Sequence, residues 1–547
     1  MFSQIHNMCL LEITKSRRED PHRKVHPKHL NLNSRNPNYA RLQSSLFHQT
    51  AKREILPLVG VASLIFIGRY SYKALVRMDE EWEEYQLALE EGGYSSSSQG
   101  TSSTSSSNNH FYRGSIGIDL GSYNLRLSHL AKSNSDSLQK NPAIIENREG
   151  SRTTPALIVF DGESNGDESF LFGSMAKSKL YERTMYSNLP PIQFIHEQLS
   201  SSNDEAVNKN VNFFLSSVIS NALERVPGVN GQSNIPKDSI FSLDANTGGG
   251  IQPVFTYNPS MSNQAKQAYQ SAIHSITSPP SIATFVPEPI AAVVGSKHFG
   301  IFSSSQNGPV AVVDVGGHVI SLTIIEPNPN EKFKNKILHH TAISNTAGNA
   351  LQTALVNLMK KDFFDAEEST APPDGMAMQR LYDASEMAVM ELSKNSRTNI
   401  NIPYITVDTK TMEPKHLEMG ISRNVLKKEM DDLVSNELED KDALNSSLTG
   451  PAKNLSALIT QMFLNAMEQA NMNPFLLEGV LLVGGGARSP IFQLAMKKGL
   501  AGLGGEAYAD EKLVIPKGEL VEDLVALGAA VCGEDENIEL DHVINQD

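Results

Sequence analysis

An apolar strand that ends in Asp and runs into a glycine turn occurs twice in this chain, and that repeat limits its possible folds more than any other feature. The first copy is Ser115-Ile-Gly-Ile-Asp119-Leu-Gly-Ser122; the second is Val310-Ala-Val-Val-Asp314-Val-Gly-Gly317. A further apolar stretch follows each turn, at 124–130 and at 319–325. Two β-hairpins of like design, 195 residues apart, predict an internal duplication with one hairpin in each of two lobes. A third strand and turn, Val480-Leu-Leu-Val-Gly484-Gly485-Gly486, leads into a helical pattern over 491–500.

Loops of this kind have a definite chemistry. Glycine turns let backbone N–H groups come close to phosphate oxygens, as an anion nest does. An Asp at the strand end can hold Mg2+, usually through waters, because that ion keeps much of its hydration shell. One Asp-x-Gly turn is ordinarily just a hairpin. Three glycine turns in this order point instead to a cleft that grips phosphates between two lobes.

Charge and cysteine content narrow the remaining classes. The 547 residues carry a formal charge of −15, although the first 53 hold ten Lys and Arg against three acids. The rest of the chain is therefore strongly acidic. That argues against a nucleic-acid surface, since contact with phosphates along a strand needs a positive field. Cys9 and Cys532 stand at opposite ends, with no disulfide framework and no zinc-ligand spacing, as in a protein of a reducing compartment.

Residues 1–53 read as a basic targeting segment. Within them, 35–53 contain no acid and put Leu42, Leu46 and Phe47 on one helical face, as in an import presequence. A plain basic tail is the alternative. Residues 55–68 are uncharged, and the run to Val76 is broken only by Arg69 and Lys73, whose stems can snorkel. A membrane anchor is expected over 54–78, with 55–76 in the bilayer. That stretch is also similar to the anchor of the J-domain subunit of the mitochondrial import motor. The mitochondrial inner membrane is the favoured location, with the endoplasmic reticulum as the alternative because a short apolar segment can serve as a signal anchor. An acidic helix at 79–91 and a serine-rich stretch at 95–107 make 79–112 a solvated tether.

From about residue 114 to 533, the ordered motifs resemble the nucleotide-binding domain of the 70-kilodalton heat-shock (DnaK-type) chaperone family, within the actin-like ATPase superfamily. The Asp119 and Asp314 turns look like its two phosphate loops. Ile144-Ile-Glu-Asn-Arg-Glu-Gly-Ser-Arg-Thr-Thr-Pro155 is similar to the strand and turn into its upper subdomain, and Val286-Pro-Glu288-Pro to its Glu-Pro segment. Arg380-Leu-Tyr-Asp-Ala-Ser-Glu386 through Ser393 resembles the helix that holds adenosine; Gly484 to Arg488 and Glu522 through Ala530 resemble the closing loop and final helix.

The resemblance implies an α/β, actin-like two-lobe ATPase fold, a duplicated mixed β-sheet with flanking helices, behind an N-terminal hydrophobic helix and disordered linker. Lobe I would run over 113–308, lobe II over 309–520, a closing helix over 521–535 and an acidic tail over 536–547. ATP or ADP with Mg would be the cofactors. Asp119, Glu288 and Asp314 would be catalytic, with Asp119 and Asp314 holding Mg through water. Gly121, Ser122, Tyr123, Gly316, Gly317, His318 and Gly348 would line the phosphates. Glu386, Ser393, Gly484, Gly485, Gly486, Arg488 and Glu522 would hold the nucleoside.

The chain also departs from the pattern. The segment 188–197, where the family has a water-orienting lysine, contains none. His318–Val319 replaces a threonine, Ser321 an acid, and Val389 and Met390 the basic pair beside adenosine. Ala347-Gly348 stands for Gly-Gly. No β-sandwich peptide-binding domain is recognisable, so no built-in clamp for a client peptide is expected. Phosphoryl transfer rests on positioning and electrostatics, so these losses put hydrolysis in doubt. Two functions follow: a membrane-tethered chaperone-like ATPase with weak hydrolysis, working through a J-domain protein, exchange factor or true chaperone, or a catalytically inactive nucleotide-sensing scaffold or exchange-factor-like regulator of a true chaperone. A small-molecule kinase of the same superfamily is a third class. His196, His318, His339 and His340 could be proposed as proton shuttles, but a lone loop histidine is more often a satisfied surface group, and only His318 lies in a phosphate loop. The helix at 455–470 reads as core packing, and 200–212, 228–250 and 365–376 as surface loops.

Overall fold

The computed structural model describes residues 114–131, 141–164, 167–186, 191–193, 205–223, 241–242, 251–275, 277–278, 283–302, 308–328, 335–366, 368–439 and 452–533. The basic head, the anchor expected at 54–78, the linker, His196 and the acidic tail lie outside them. Among the described residues, no helix is long and apolar enough to cross a membrane.

Two sheets organise the described chain. The first contains β1 (Gly114–Leu120), β2 (Asn124–Ala131), β3 (Ala143–Ile145), β4 (Ile251–Tyr257) and β5 (Thr284–Pro287), in the order β3-β2-β1-β4-β5. The second contains β6 (Val310–Val315), β7 (Val319–Glu326), β8 (Lys336–Ser344), β9 (Gly479–Val483) and β10 (Leu513–Val514), in the order β8-β7-β6-β9-β10. In each, the three meander strands pair antiparallel and the last two join in parallel. The five-strand path of the mixed sheet is thus duplicated, with the short strand Thr154–Pro155 added to β2 in the first sheet only, which fits the actin-like two-lobe architecture. The turns match as well: Gly121 N–H donates to the Asn124 carbonyl and Gly316 N–H to the Val319 carbonyl, each at 3.0 Å.

The central strand β6 carries apolar residues on both faces, whereas β1 puts Ile116, Ile118 and Leu120 on one face and Ser115, Gly117 and Asp119 on the other. Closing helix α9 (Leu520–Cys532) packs against β1, β2 and the earlier α4 (Glu288–His298). Ser115 and Ser128, buried at that contact, give their hydroxyls to the carbonyls of Ala530 and Ala526 at 2.5 and 2.6 Å, so burial leaves neither unsatisfied. Four further helices bear on the argument: α1 (Gly173–Tyr186), α5 (Gly348–Met359), α6 (Gly375–Lys394) and α7 (Leu455–Gln469). Leu455, Leu458, Ile459, Met462 and Phe463 of α7 are buried in the second lobe, where core packing was expected.

Two expectations need correction. Residues 205–212, read as loop, open the helix α2 (Glu205–Leu223). Its apolar stripe of Val211, Phe214, Leu215 and Ile219 begins only where that polar stretch ends, so the stretch alone hid the period. His339 and His340 sit on β8 within the second sheet, and His340 Nδ1 lies 2.8 Å from the Thr323 hydroxyl. Burial pushes the His340 imidazole down to about 4, the behaviour of a neutral structural group rather than a shuttle.

Candidate functional site: a cleft between two like turns

A cavity of about 600 Å³ is lined from both lobes. The two hairpin turns meet there. Tyr123 of the first lies against Gly317 of the second, where a side chain on Gly317 would come within 2.5 Å of the Tyr123 Cβ. Gly348, at the start of α5, gives its N–H to the Gly316 carbonyl at 3.0 Å, and Asn349 gives its own to Gly317 at 2.6 Å. Gly484 adopts φ +98, and a Cβ there would collide with Asp314 and the Val315 backbone. Only glycine lets this third loop close over the second turn.

Three carboxyls share the cavity. Asp119, next to the end of β1, accepts the Thr256 hydroxyl at 2.8 Å. Glu288 is the first residue of α4 and bonds Asn258. Asp314 sits on β6 opposite Ser321. Burial raises the proton affinity of all three. Asp119 and Asp314 push Glu288 well above the carboxylate range; Asp119 adds to the rise at Asp314, which reaches about 7. Arg126 works against the rise at Asp119 and at Asp314, and the Thr256 bond tempers Asp119 further.

On the base side of the cleft, Val389, Met390, Ser393 and Lys394 of α6 line the cavity. Glu386 pairs with Lys177 of α1 at 2.6 Å, and beside that pair Tyr181 stacks on Tyr382 with ring centroids 4.1 Å apart. The Ser393 hydroxyl turns back to the Met390 carbonyl at 2.6 Å. Arg488 gives Nη1 to Glu522 Oε1 at 2.6 Å, while Arg126 gives Nη2 to the other oxygen at 2.9 Å.

Every residue expected at the site lines this cavity except His318. His318, at the end of the second turn, is 8% exposed, and its carbonyl accepts from Asn345 N–H. Sequence reasoning passed over Arg126, Arg152, Asn258 and Lys394, all of which line the cavity. Arg126 was detectable. Counting outward from the Gly121 turn places it directly across from Asp119, and paired residues on adjacent strands point to the same face.

The donor set can be tested against a magnesium nucleotide. Burial raises the proton affinity of all three carboxyls, and Asp119 adds to the rise at Glu288 and at Asp314, so the site calls for positive charge. A cradle of glycine backbone beside them suits phosphate oxygens. Among the described residues, no three His, Cys, Asp or Glu side chains group closely enough to hold a metal ion. The carboxyls and the glycine cradle nonetheless fit the group.

Comparison with known proteins agrees. The family described as Hsp70 protein matches residues 281–533. The chaperone protein DnaK of Buchnera aphidicola subsp. Schizaphis graminum is 26% identical over 430 residues, 76% of this chain and 59% of the relative. DnaK of Psychrobacter cryohalolentis is 26% identical over 431 residues, 76% of this chain and 58% of the relative. The chain thus spans about three-fifths of the length of these relatives. ATP or ADP with Mg is the cofactor of that family. Residues 281–533 are thus similar to the Hsp70 family, and the duplicated sheets, the paired Asp–Gly turns and these matches together support a divergent nucleotide-binding domain of the heat-shock-70 type.

Proposed function

We propose that this chain binds ATP or ADP with Mg2+ in the cleft, hydrolyses it weakly, and passes its nucleotide state to a partner in a chaperone system through lobe closure. The observation that carries the reading is the meeting of two like Asp–Gly turns in one cavity, under the Gly484 loop. Asp119 and Asp314 would hold hydrated Mg2+, whose charge offsets that of the phosphates. Glu288 is the candidate base toward water. Val389 and Met390 would give the base an apolar wall.

A second reading, a nucleotide sensor without turnover, is favoured by one observation. The arginines of the cleft are tied to acids at Glu519, Glu522 and Asp523, and segment 188–197 supplies no lysine. Calorimetric titration of the full chain with Mg-ATP, followed by a phosphate-release assay, separates the two. Asp119→Asn and Asp314→Asn should each weaken binding about tenfold or more. Binding with slow release supports the ATPase, binding without release the sensor. No binding by the wild type overturns both.

A J-domain protein, an exchange factor or a true chaperone would be the partner that reads the lobes. Anchoring through 55–76 in the mitochondrial inner membrane completes the proposal and rests on sequence alone. A tagged chain lacking residues 1–53 should then leave that organelle, and unchanged placement would refute the import role.

A further inference from the structure

We propose that Arg126 is the phosphate-contacting cation of this cleft, a built-in positive charge that lets a nucleoside di- or triphosphate bind after Mg2+ is withdrawn. The proposal rests on the nucleotide reading above and adds to it the residue that grips the phosphates.

The placement comes from the fold. Arg126 stands on β2 directly across from Asp119, so both side chains rise from the same face into the cavity. The duplicated position in the second hairpin, across from Asp314, is Ser321. One turn therefore faces the phosphate space with a cation and the other with a hydroxyl. The guanidinium reaches from the first lobe toward the second: a side chain on Gly485 would meet Arg126 Nη2 at 3.8 Å. Its charge is felt at both turn aspartates, whose proton affinity it lowers.

The side chain is only 9% exposed, and its Nε is buried without a hydrogen-bond partner. Asp523 Oδ1 lies 3.5 Å from that Nε and likewise lacks a hydrogen bond. The Nε edge is thus held toward Asp523, and the Nη edge, near Gly485, is the one a phosphate oxygen can meet in this dry place.

Both acids beside Arg126 have another arginine. Arg488 holds Glu522 Oε1 at 2.6 Å, and Arg152 bonds Asp523 Oδ2. Arg126 can therefore turn to an anion without leaving either carboxylate unpaired. The other arginines at the cleft are less available, and Lys394 lines it from α6, beside Val389 and Met390. Arg152 is shared between Glu519 and Asp523, Arg488 is on Glu522, and Lys177 is on Glu386. Arginine also suits the task, because its planar fork matches two phosphate oxygens at once.

If Arg126 were only a clasp between β2 and α9, its loss would lower stability and leave affinity alone. The test titrates the full chain with ADP and with ATP, in Mg2+ and in EDTA, for wild type, Arg126→Gln and Arg126→Lys, with melting temperatures as the fold control. Wild type should lose less than about tenfold in affinity on passing into EDTA. Arg126→Gln should weaken ADP about tenfold or more in Mg2+ and show no measurable binding in EDTA, with Arg126→Lys between the two. Wild type that binds in Mg2+ but not in EDTA overturns the proposal without need of any variant, as does an Arg126→Gln that matches wild type in both conditions. Wild type that binds no nucleotide even with Mg2+ sinks the nucleotide reading itself, and this proposal with it.

Discussion

The β1–β2 and β6–β7 hairpins share a register, a turn hydrogen bond and a place in their sheets, yet they offer the cleft different chemistry. In the first, Asp119 faces Arg126 and accepts the Thr256 hydroxyl. In the second, Asp314 faces Ser321 and lies under Gly484. The same backbone thus places a carboxyl and its cross-strand neighbour twice, and one side chain decides whether that neighbour carries charge. Duplication copies geometry, and charge is then assigned residue by residue.

The difference between the turns can be broken most forcefully at the third loop. Gly484→Val should cost about 2–4 kcal/mol, because the residue has positive φ and its side chain would enter the space of Asp314. Nucleotide binding should vanish with it. Gly121→Ala, whose Cβ would stand 3.1 Å from the Asn124 carbonyl, should cost less than about 1 kcal/mol. Melting curves of the two variants compare the turns directly, and equal losses would end the claim that only the second turn is roofed by a close-packed loop.

An acid titration sharpens the contrast between the sheets. Burial first, then His339 and Lys266, hold the His340 imidazole down near 4 from its ordinary 6.5. Its contribution to stability is complete above 6.5 and is lost as pH falls through about 4, since the unfolded chain binds the proton first. The loss should be about 1–3 kcal/mol. His340→Gln should flatten the fall of melting temperature over that window while keeping a partner for Thr323. Hydrogen exchange at pH 5 should open β7–β8 before β1–β2. A variant with the wild-type slope would show that other groups govern the acid response.

The smallest effect is expected where the lobes touch at the rim. Lys177 and Glu386 are each 29% exposed, so Lys177→Ala should cost about 0.5 kcal/mol or less. A loss several times larger would mean that this pair, and not the turns, holds the lobes together.

Much of the site was legible because its elements are local. An apolar run, an Asp and a glycine within eight residues suffice to mark each turn, and Glu288 and the Gly484 loop lie in similarly compact motifs. What was missed depends on distance along the chain. Arg126 bonds Glu522 across 396 residues, and Lys177 bonds Glu386 across 209. Glu386, Ser393, Arg488 and Glu522 were identified as lining the cleft, but sequence did not say that they would be engaged by protein groups there. Helix α2 was hidden in part because its first turns are polar and its apolar stripe starts late.

The sequence by itself determined the two hairpins, their aspartates, the glycine loops and the change of composition before residue 114, since each depends on backbone freedom or apolar period over a few residues. Tertiary structure alone decided which charges meet. Buried charge must be paired or neutralised where it lies, so the sharing of Glu522 and Asp523 among Arg126, Arg152 and Arg488, and the rise of Asp314 to about 7, exist only once two sheets and a closing helix share one dry space.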